Sequence, residues 1–225
     1  MNDSNQLARR SRASAACLWA VGITDAAAVP AGFFYATYLN SLPPGSVVEE
    51  LEFVPSEVAY ALVGISQLAA LILAAVFFIR WFHLAHLNLS LFSDNATAYS
   101  SRWAIWGFFV PILNLVRPQQ VMREIWDRTS RRWDQETARV VGLLRPADRV
   151  NVWWGFFLTT SFLGNAVGRI AFRATTAQET LHATWVTLFA DALDIAAVAA
   201  ALVVVRSVTE LQRPLLGHAP SGPAA

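Results

Sequence analysis

Asp25, Arg169, Asp191 and Asp194 are ionisable residues set inside long apolar runs. A charge at the centre of a membrane-crossing helix costs about 2.5 to 3.5 kcal/mol on insertion scales, so such groups are expected to be paired, protonated or wet. Asp191 and Asp194 are three residues apart and share a helix face. Arg169 stands near the outer end of one apolar run and Asp191 a little inside the outer start of the next. At about 1.5 Å per residue their depths differ by only about 6 Å, within reach of an arginine side chain. The sequence therefore predicts an intramembrane Arg169 to Asp191/Asp194 contact, with Asp25 near enough in depth to join it. Ser161, Asn165, Arg169 and Arg173 follow one another at four-residue spacing as a polar stripe beside Gly164 and Gly168. Two chemistries fit such a cluster: polar glue between packed helices, or a path for protons or ions.

Other chemistries have little foothold. His83 and His86 could share a helix face for a metal, but zinc wants a third protein ligand and Asp94 is the only nearby carboxylate of that loop, so the pair reads as a solvated helix end. The single cysteine, Cys17, makes neither a disulfide framework nor a thiolate metal site. There is no Gly-rich phosphate loop, no G-x-S-x-G elbow and no H-E-x-x-H pair. No catalytic, cofactor-binding or metal-ligating residue is assigned, and no nucleic-acid partner.

The elements that must position these residues follow from composition. The chain is 55% hydrophobic and only 15% charged, with mean hydropathy +0.41, too apolar for an ordinary soluble domain. About 20 residues are needed to cross roughly 30 Å of hydrocarbon. Four runs qualify, at about residues 15–39, 58–82, 152–173 and 183–205. A secretory signal is the competing reading of the first, set aside because the apolar stretch continues through Phe33, Phe34, Tyr35 and Tyr38. A fifth run, 103–116, would cover only about 21 Å as a helix and contains Pro111, so it reads as a re-entrant or interfacial segment. The expected fold is an all-α polytopic membrane helix bundle: four spanning helices, the short Pro-broken segment, and an amphipathic cytoplasmic connector over 117–149. Residues 1–14 are expected as a cytoplasmic N-terminal segment, 15–213 as one membrane domain, and 214–225 as a disordered tail.

Charge selects the orientation. With four spans, one side receives both termini, the loop holding Arg102 and the connector, and with them every Arg except Arg169 and Arg173. The positive-inside rule makes that side the cytoplasm. The opposite loop carries Glu49, Glu50 and Glu52, and every Trp except Trp185 falls near the proposed cytoplasmic face. In the connector, Met122, Ile125, Trp126, Trp133 and Val140 are the candidate inward residues of a helix lying on the bilayer. With Trp126 and Trp133 as anchors, Arg123, Arg128, Arg131 and Arg132 would form a surface for anionic lipid headgroups or an acidic protein partner.

The stretch from Trp103 to Trp126 carries Trp103, Gly107, Phe108, Phe109, Pro111, Asn114, Leu115, Arg117 and Pro118, followed by Gln120, Met122, Glu124 and Trp126. In these residues the chain resembles a bacterial family of small polytopic membrane proteins classed as a domain of unknown function. The likeness extends to the Arg80-Trp81 to Asn88-Leu89 stretch and, more loosely, to Asn165 and Asp191/Asp194. The resemblance implies a multi-pass protein of the bacterial inner membrane and no assigned reaction. Physically the motif, with Trp106, reads as an elbow: Pro111 interrupts the helical ladder, Asn114 can bond the freed carbonyls, and Arg117-Pro118 is a restricted turn back to the headgroups. The leading functional expectation is a non-catalytic scaffold or regulatory module that binds a partner, a second copy or anionic lipid. The alternative is a small transporter, channel or proton-linked unit using Asp25, Arg169, Asp191 and Asp194, with a lipid-modifying enzyme as a third.

Overall fold

A computed structural model describes residues 3–43, 45–47, 54–92, 97–131 and 146–217. These are all helical apart from turns and one isolated bridge, Val47 to Thr176. Four helices are long: α1 (Asp3–Ser41), α2 (Pro55–Leu87), α6 (Pro146–Arg173) and α7 (Ala177–Gly217). Between α2 and α6 lie three shorter ones, α3 (Leu89–Phe92), α4 (Trp103–Trp106) and α5 (Arg117–Ser130), with a 3-10 turn at Leu113–Leu115.

Three of the long helices, α1, α2 and α7, are long and apolar enough to cross a membrane. α6 has the length, but Thr159, Thr160, Ser161, Asn165 and Arg169 dilute its apolar character. The outward face of α2 is what a bilayer requires: Leu62, Ile65, Leu68, Leu71, Ile72 and Leu73 are each more than half exposed. Water would not tolerate so continuous an apolar face, whereas lipid does.

The helices run beyond the apolar runs that mark them. α1 begins at Asp3, so the polar segment expected over 1–14 continues the helix, and α7 reaches Gly217, past the point where a tail was expected. Residues 218–225 lie outside the described residues. Pro30 sits inside α1 and Pro214 inside α7.

The chain divides into two compact units. The first takes the described parts of Met1–Cys17, Ala74–Trp154 and Ala200–Ala225, and the second takes Leu18–Leu73 and Gly155–Ala199. Each long helix gives a segment to both. The first unit thus gathers the N-terminal segments of α1 and α6 with the C-terminal segments of α2 and α7. Its core holds Leu7, Trp81, Phe82, Val121, Met122, Ile125, Val204, Val205 and Val208, all fully buried. In the second unit Tyr35 stacks on Tyr60 with centroids 5.5 Å apart, over a cluster that includes Leu39, Leu181 and Ala177. There the Ala177 N–H donates to the Ser46 carbonyl at 2.8 Å, tying the turn at 45–47 to the start of α7.

Close packing in the second unit depends on Gly32. A Cβ there would lie 2.6 Å from Leu188 Cδ2 and 3.0 Å from Tyr60 Cε2, so the absent side chain is what lets α1 approach α2 and α7. Gly64 faces open space, with nothing within 4 Å. Gly32→Val is expected to destabilise the protein by about 1 to 3 kcal/mol through overpacking, lowering the thermal unfolding midpoint in detergent. Gly64→Val should leave that midpoint unchanged, and equal effects of the two would refute the close-packing account.

Candidate functional site

The candidate site of the second unit forms where α1, α2 and α7 each turn a polar side chain inward. Gln67 Nε2 donates to Asp25 Oδ1 at 2.9 Å and to Asp191 Oδ1 at 3.0 Å. Asp25 is 3% exposed and Asp191 6%. The second carboxylate oxygen of each, Oδ2, is buried with no hydrogen-bond partner. Asp194, three residues along the same face of α7, lies beside Thr160 of α6. One neutral amide therefore serves two buried carboxylates, and a third stands close by.

Arg169 and Asn165 do not join this cluster, contrary to the expected Arg169 to Asp191/Asp194 contact. Both are exposed. The Asn165 side-chain amide turns back to the Ser161 carbonyl at 2.7 Å. With Gly164, Gly168, Phe172 and Arg173 they border a separate open hollow of about 720 Å³. The reason lies in rotation about α6. Its inward side in the second unit passes through Thr160 and buried Val167, whereas the polar stripe at 161, 165 and 169 lies about one residue, roughly 100°, further round. Gln67 and Thr160 are the partners that a search for charges passed over, although Gln67 is an amide standing in the apolar run 58–82.

The elbow belongs to the first unit. α4 ends at Trp106, the chain turns through Ile112 with φ 67°, and α5 starts at Arg117. Ile112 occupies the left-handed region that a branched residue rarely adopts, next to Pro111, whose nitrogen has no hydrogen to donate. Asn114 contributes its backbone N–H, to the Val110 carbonyl at 2.9 Å, rather than the side-chain amide expected to bridge the break. Trp154 Nε1 donates to the Leu115 carbonyl at 3.0 Å. The Arg117 guanidinium lies over the rings of Tyr99 (4.9 Å) and Trp103 (5.0 Å), an arrangement that holds a cation by its attraction to aromatic faces. Gly107 gives it room, since a Cβ there would meet the Trp103 carbonyl at 2.6 Å and Arg117 Cγ at 3.2 Å. Pro118 is buried in the first turn of α5, and Trp106 is 58% exposed.

Behind the elbow, α5 carries Glu124 as a clamp. Its carboxylate accepts the Ala98 N–H at 2.6 Å and the Tyr99 N–H at 3.3 Å, and pairs with Arg128 Nε at 2.9 Å. His86 Nε2 stands 3.5 Å from the same carboxylate. His86 is thus a buried neighbour of Glu124, not the solvated helix end expected of it. Among the described residues no group of three or more His, Cys, Asp or Glu side chains is placed to hold a metal ion.

The connector surface needs correction. Met122, Ile125 and Trp126 do form the apolar face of α5, but it packs on the protein itself and Trp126 is 4% exposed. Trp126 is therefore no lipid anchor, and Arg128 is committed to Glu124. Arg123 donates to the Asn151 side chain, and Arg131 is exposed. Arg132, Trp133 and Val140 lie outside the described residues.

Residues 45–210 match the family described as Domain of unknown function (DUF4328). No curated protein and no solved structure matches the chain. The matched stretch contains Gln67, Asp191, Asp194 and the whole elbow.

Glu124 is the most demanding residue of the elbow to replace. Glu124→Ala would leave the Ala98 and Tyr99 N–H groups without this acceptor and break the ion pair with Arg128, and removing one partner of a buried ion pair costs about 3 kcal/mol or more. The expected result is a large drop in unfolding midpoint together with protease cutting near residues 97–102. A variant as stable and as resistant as the parent would remove the clamp from the account.

Proposed function

We propose, on the premise that this chain belongs to the DUF4328 family, that it is a multi-pass membrane protein whose Asp25, Gln67, Asp191 and Asp194 carry a proton through or into the helix bundle. The observation that carries this reading is the pair of unpartnered Oδ2 atoms on Asp25 and Asp191, buried on either side of the amide that holds their Oδ1 atoms. Here two carboxylates share one neutral donor, and among the described residues no arginine balances them. In an apolar surround such a pair calls for a positive charge from outside, for which a proton is the smallest carrier. Gln67 keeps the two groups in fixed orientation, and Asp194 with Thr160 offers the next acceptor along α7.

On this reading α1, α2, α6 and α7 are four spans with both termini on one side. The gathering of alternate helix ends in the first unit supports that arrangement, and the arginine distribution makes the shared side the cytoplasmic face of a bacterial inner membrane. The elbow lies at that face, where exposed Trp106, Phe109 and Ile112 suit an interfacial or re-entrant segment. A scaffold acting through α5 is the weaker alternative, because its tryptophan anchor faces inward.

The test is proton flux into liposomes reconstituted with the full chain, read by a pH-sensitive dye trapped inside under an imposed potassium diffusion potential. The parent protein should acidify or alkalinise the lumen according to the sign of the potential. Asp191→Asn and Asp25→Asn should abolish that flux while keeping the parent's helicity and elution volume, and Gln67→Leu should diminish it. A parent protein no faster than empty liposomes at every potential, or an Asp191→Asn variant as fast as the parent, would leave the cluster with a packing role only.

A further inference from the structure

The first unit contains a cluster of cationic side chains. Arg9, Arg10, Arg12 and Arg80, with Gln6 and Phe77, border a cavity of about 420 Å³ between α1 and α2. None of the residues lining it is acidic. One of the arginines is fixed in place: the guanidinium of Arg10 donates from Nη1 to the Arg80 backbone carbonyl at 3.0 Å, so the side chain crosses from α1 to the last turns of α2. The Arg80 side chain is close enough for its charge to act on that of Arg10. Like charges brought together without an acid among them repel, and an anion between them turns that repulsion into binding.

The position of the cavity along the helices indicates which anion. Arg12 precedes the apolar run that starts near residue 15, and Arg80 lies at the end of the run over 58–82. Both fall at the level where hydrocarbon gives way to headgroups. Ala13 and Phe77, on the apolar side of the cavity, supply a floor against which an acyl chain can lie. Guanidinium groups match phosphate oxygens with paired N–H donors.

We propose that Arg10, Arg12 and Arg80 form a binding site for a phosphate group, the one carried at this depth by an anionic phospholipid headgroup. The site differs from the expected lipid surface on α5, which is partly buried, and it stands apart from the proton-linked reading of the aspartates.

The experiment uses the full chain in detergent, titrated with phosphatidylglycerol or phosphatidylcholine and read by native mass spectrometry, with inorganic phosphate as a competitor. Phosphatidylglycerol is expected to bind about tenfold more tightly than phosphatidylcholine, the scale of a charge-assisted contact made and lost. The double variant Arg12→Gln/Arg80→Gln should lose that preference, and Arg80→Gln alone, a change at an exposed side chain, should lose part of it. Arg169→Gln/Arg173→Gln should keep it. Binding of inorganic phosphate that displaces the lipid would mark the ligand as a soluble phosphate compound. Lipid binding that phosphate does not disturb would mark it as the headgroup. Either supports the phosphate site. Equal binding of the two lipids by the parent protein, or an undiminished preference in a folded Arg12→Gln/Arg80→Gln variant, would overturn it.

Discussion

A helix that faces hydrocarbon satisfies its backbone internally, so the only polar groups left to accommodate are on side chains, and each must find its partner within the protein. The second unit resolves this in two ways. Short hydroxyls bond back to their own helix: Thr24 to the Val21 carbonyl, Thr37 to that of Phe33 and Ser66 to that of Leu62. Gln67, Asp25 and Asp191 instead turn inward and meet one another. That meeting fixes the rotation of α2. With Gln67 held inside, Leu62, Ile65 and Leu68 are carried round to the outside. Interhelical hydrogen bonds in membranes contribute only about 0.6 to 2 kcal/mol each, so their larger effect is to specify one rotational setting among many that apolar packing alone would allow.

The first unit obeys the same rule. Gln212, fully buried, donates to the Ala85 carbonyl at 2.9 Å and to Thr129 Oγ1 at 3.3 Å, while its carbonyl accepts from Asn88. Trp81 Nε1 reaches Thr209 Oγ1 at 3.0 Å. These bonds pin α2, α5 and α7 to one another, and on that frame Glu124 and Arg117 hold the elbow. Gly107, Arg117, Pro118 and Glu124 all have packing or clamping duties there. The motif that carries the family resemblance therefore encodes an architectural bend.

The long helices were legible because length and hydropathy together set them. Apolar runs at 58–82 and 152–173 sit inside α2 and α6, which extend a few residues past them. The overshoot is physical: helix propensity continues into polar residues after hydropathy has ended, so a run marks the hydrocarbon and not the helix. Rotation was less legible. Arg169 has the wrong phase to meet Asp191, and phase emerges only from how three or four helices settle together. Gln67 was passed over because it bears no charge, although an amide in hydrocarbon has the same need for a partner. In α5 the sequence marked the right apolar residues, Met122, Ile125 and Trp126, yet amphipathicity says only that something apolar lies opposite. Whether that is lipid or protein depends on the rest of the fold.

A net charge of +1 conceals a segregation that bears on function. The second unit gathers Asp25, Asp191 and Asp194 without a cation among them, and the first gathers Arg10, Arg12 and Arg80 around a cavity without an acid in its wall. A chain selected for stability alone has a simpler recourse, since replacing buried charges by apolar side chains of similar volume is neutral or stabilising as often as not. Glu124 shows the other solution, in which the carboxylate is saturated by donors and an arginine. The aspartates and the arginine cavity follow neither course. Among the described residues neither set has its countercharge within it, and on the readings proposed above that charge comes from outside. On those readings it is a proton for the acids buried among apolar helices and a phosphate for the arginines.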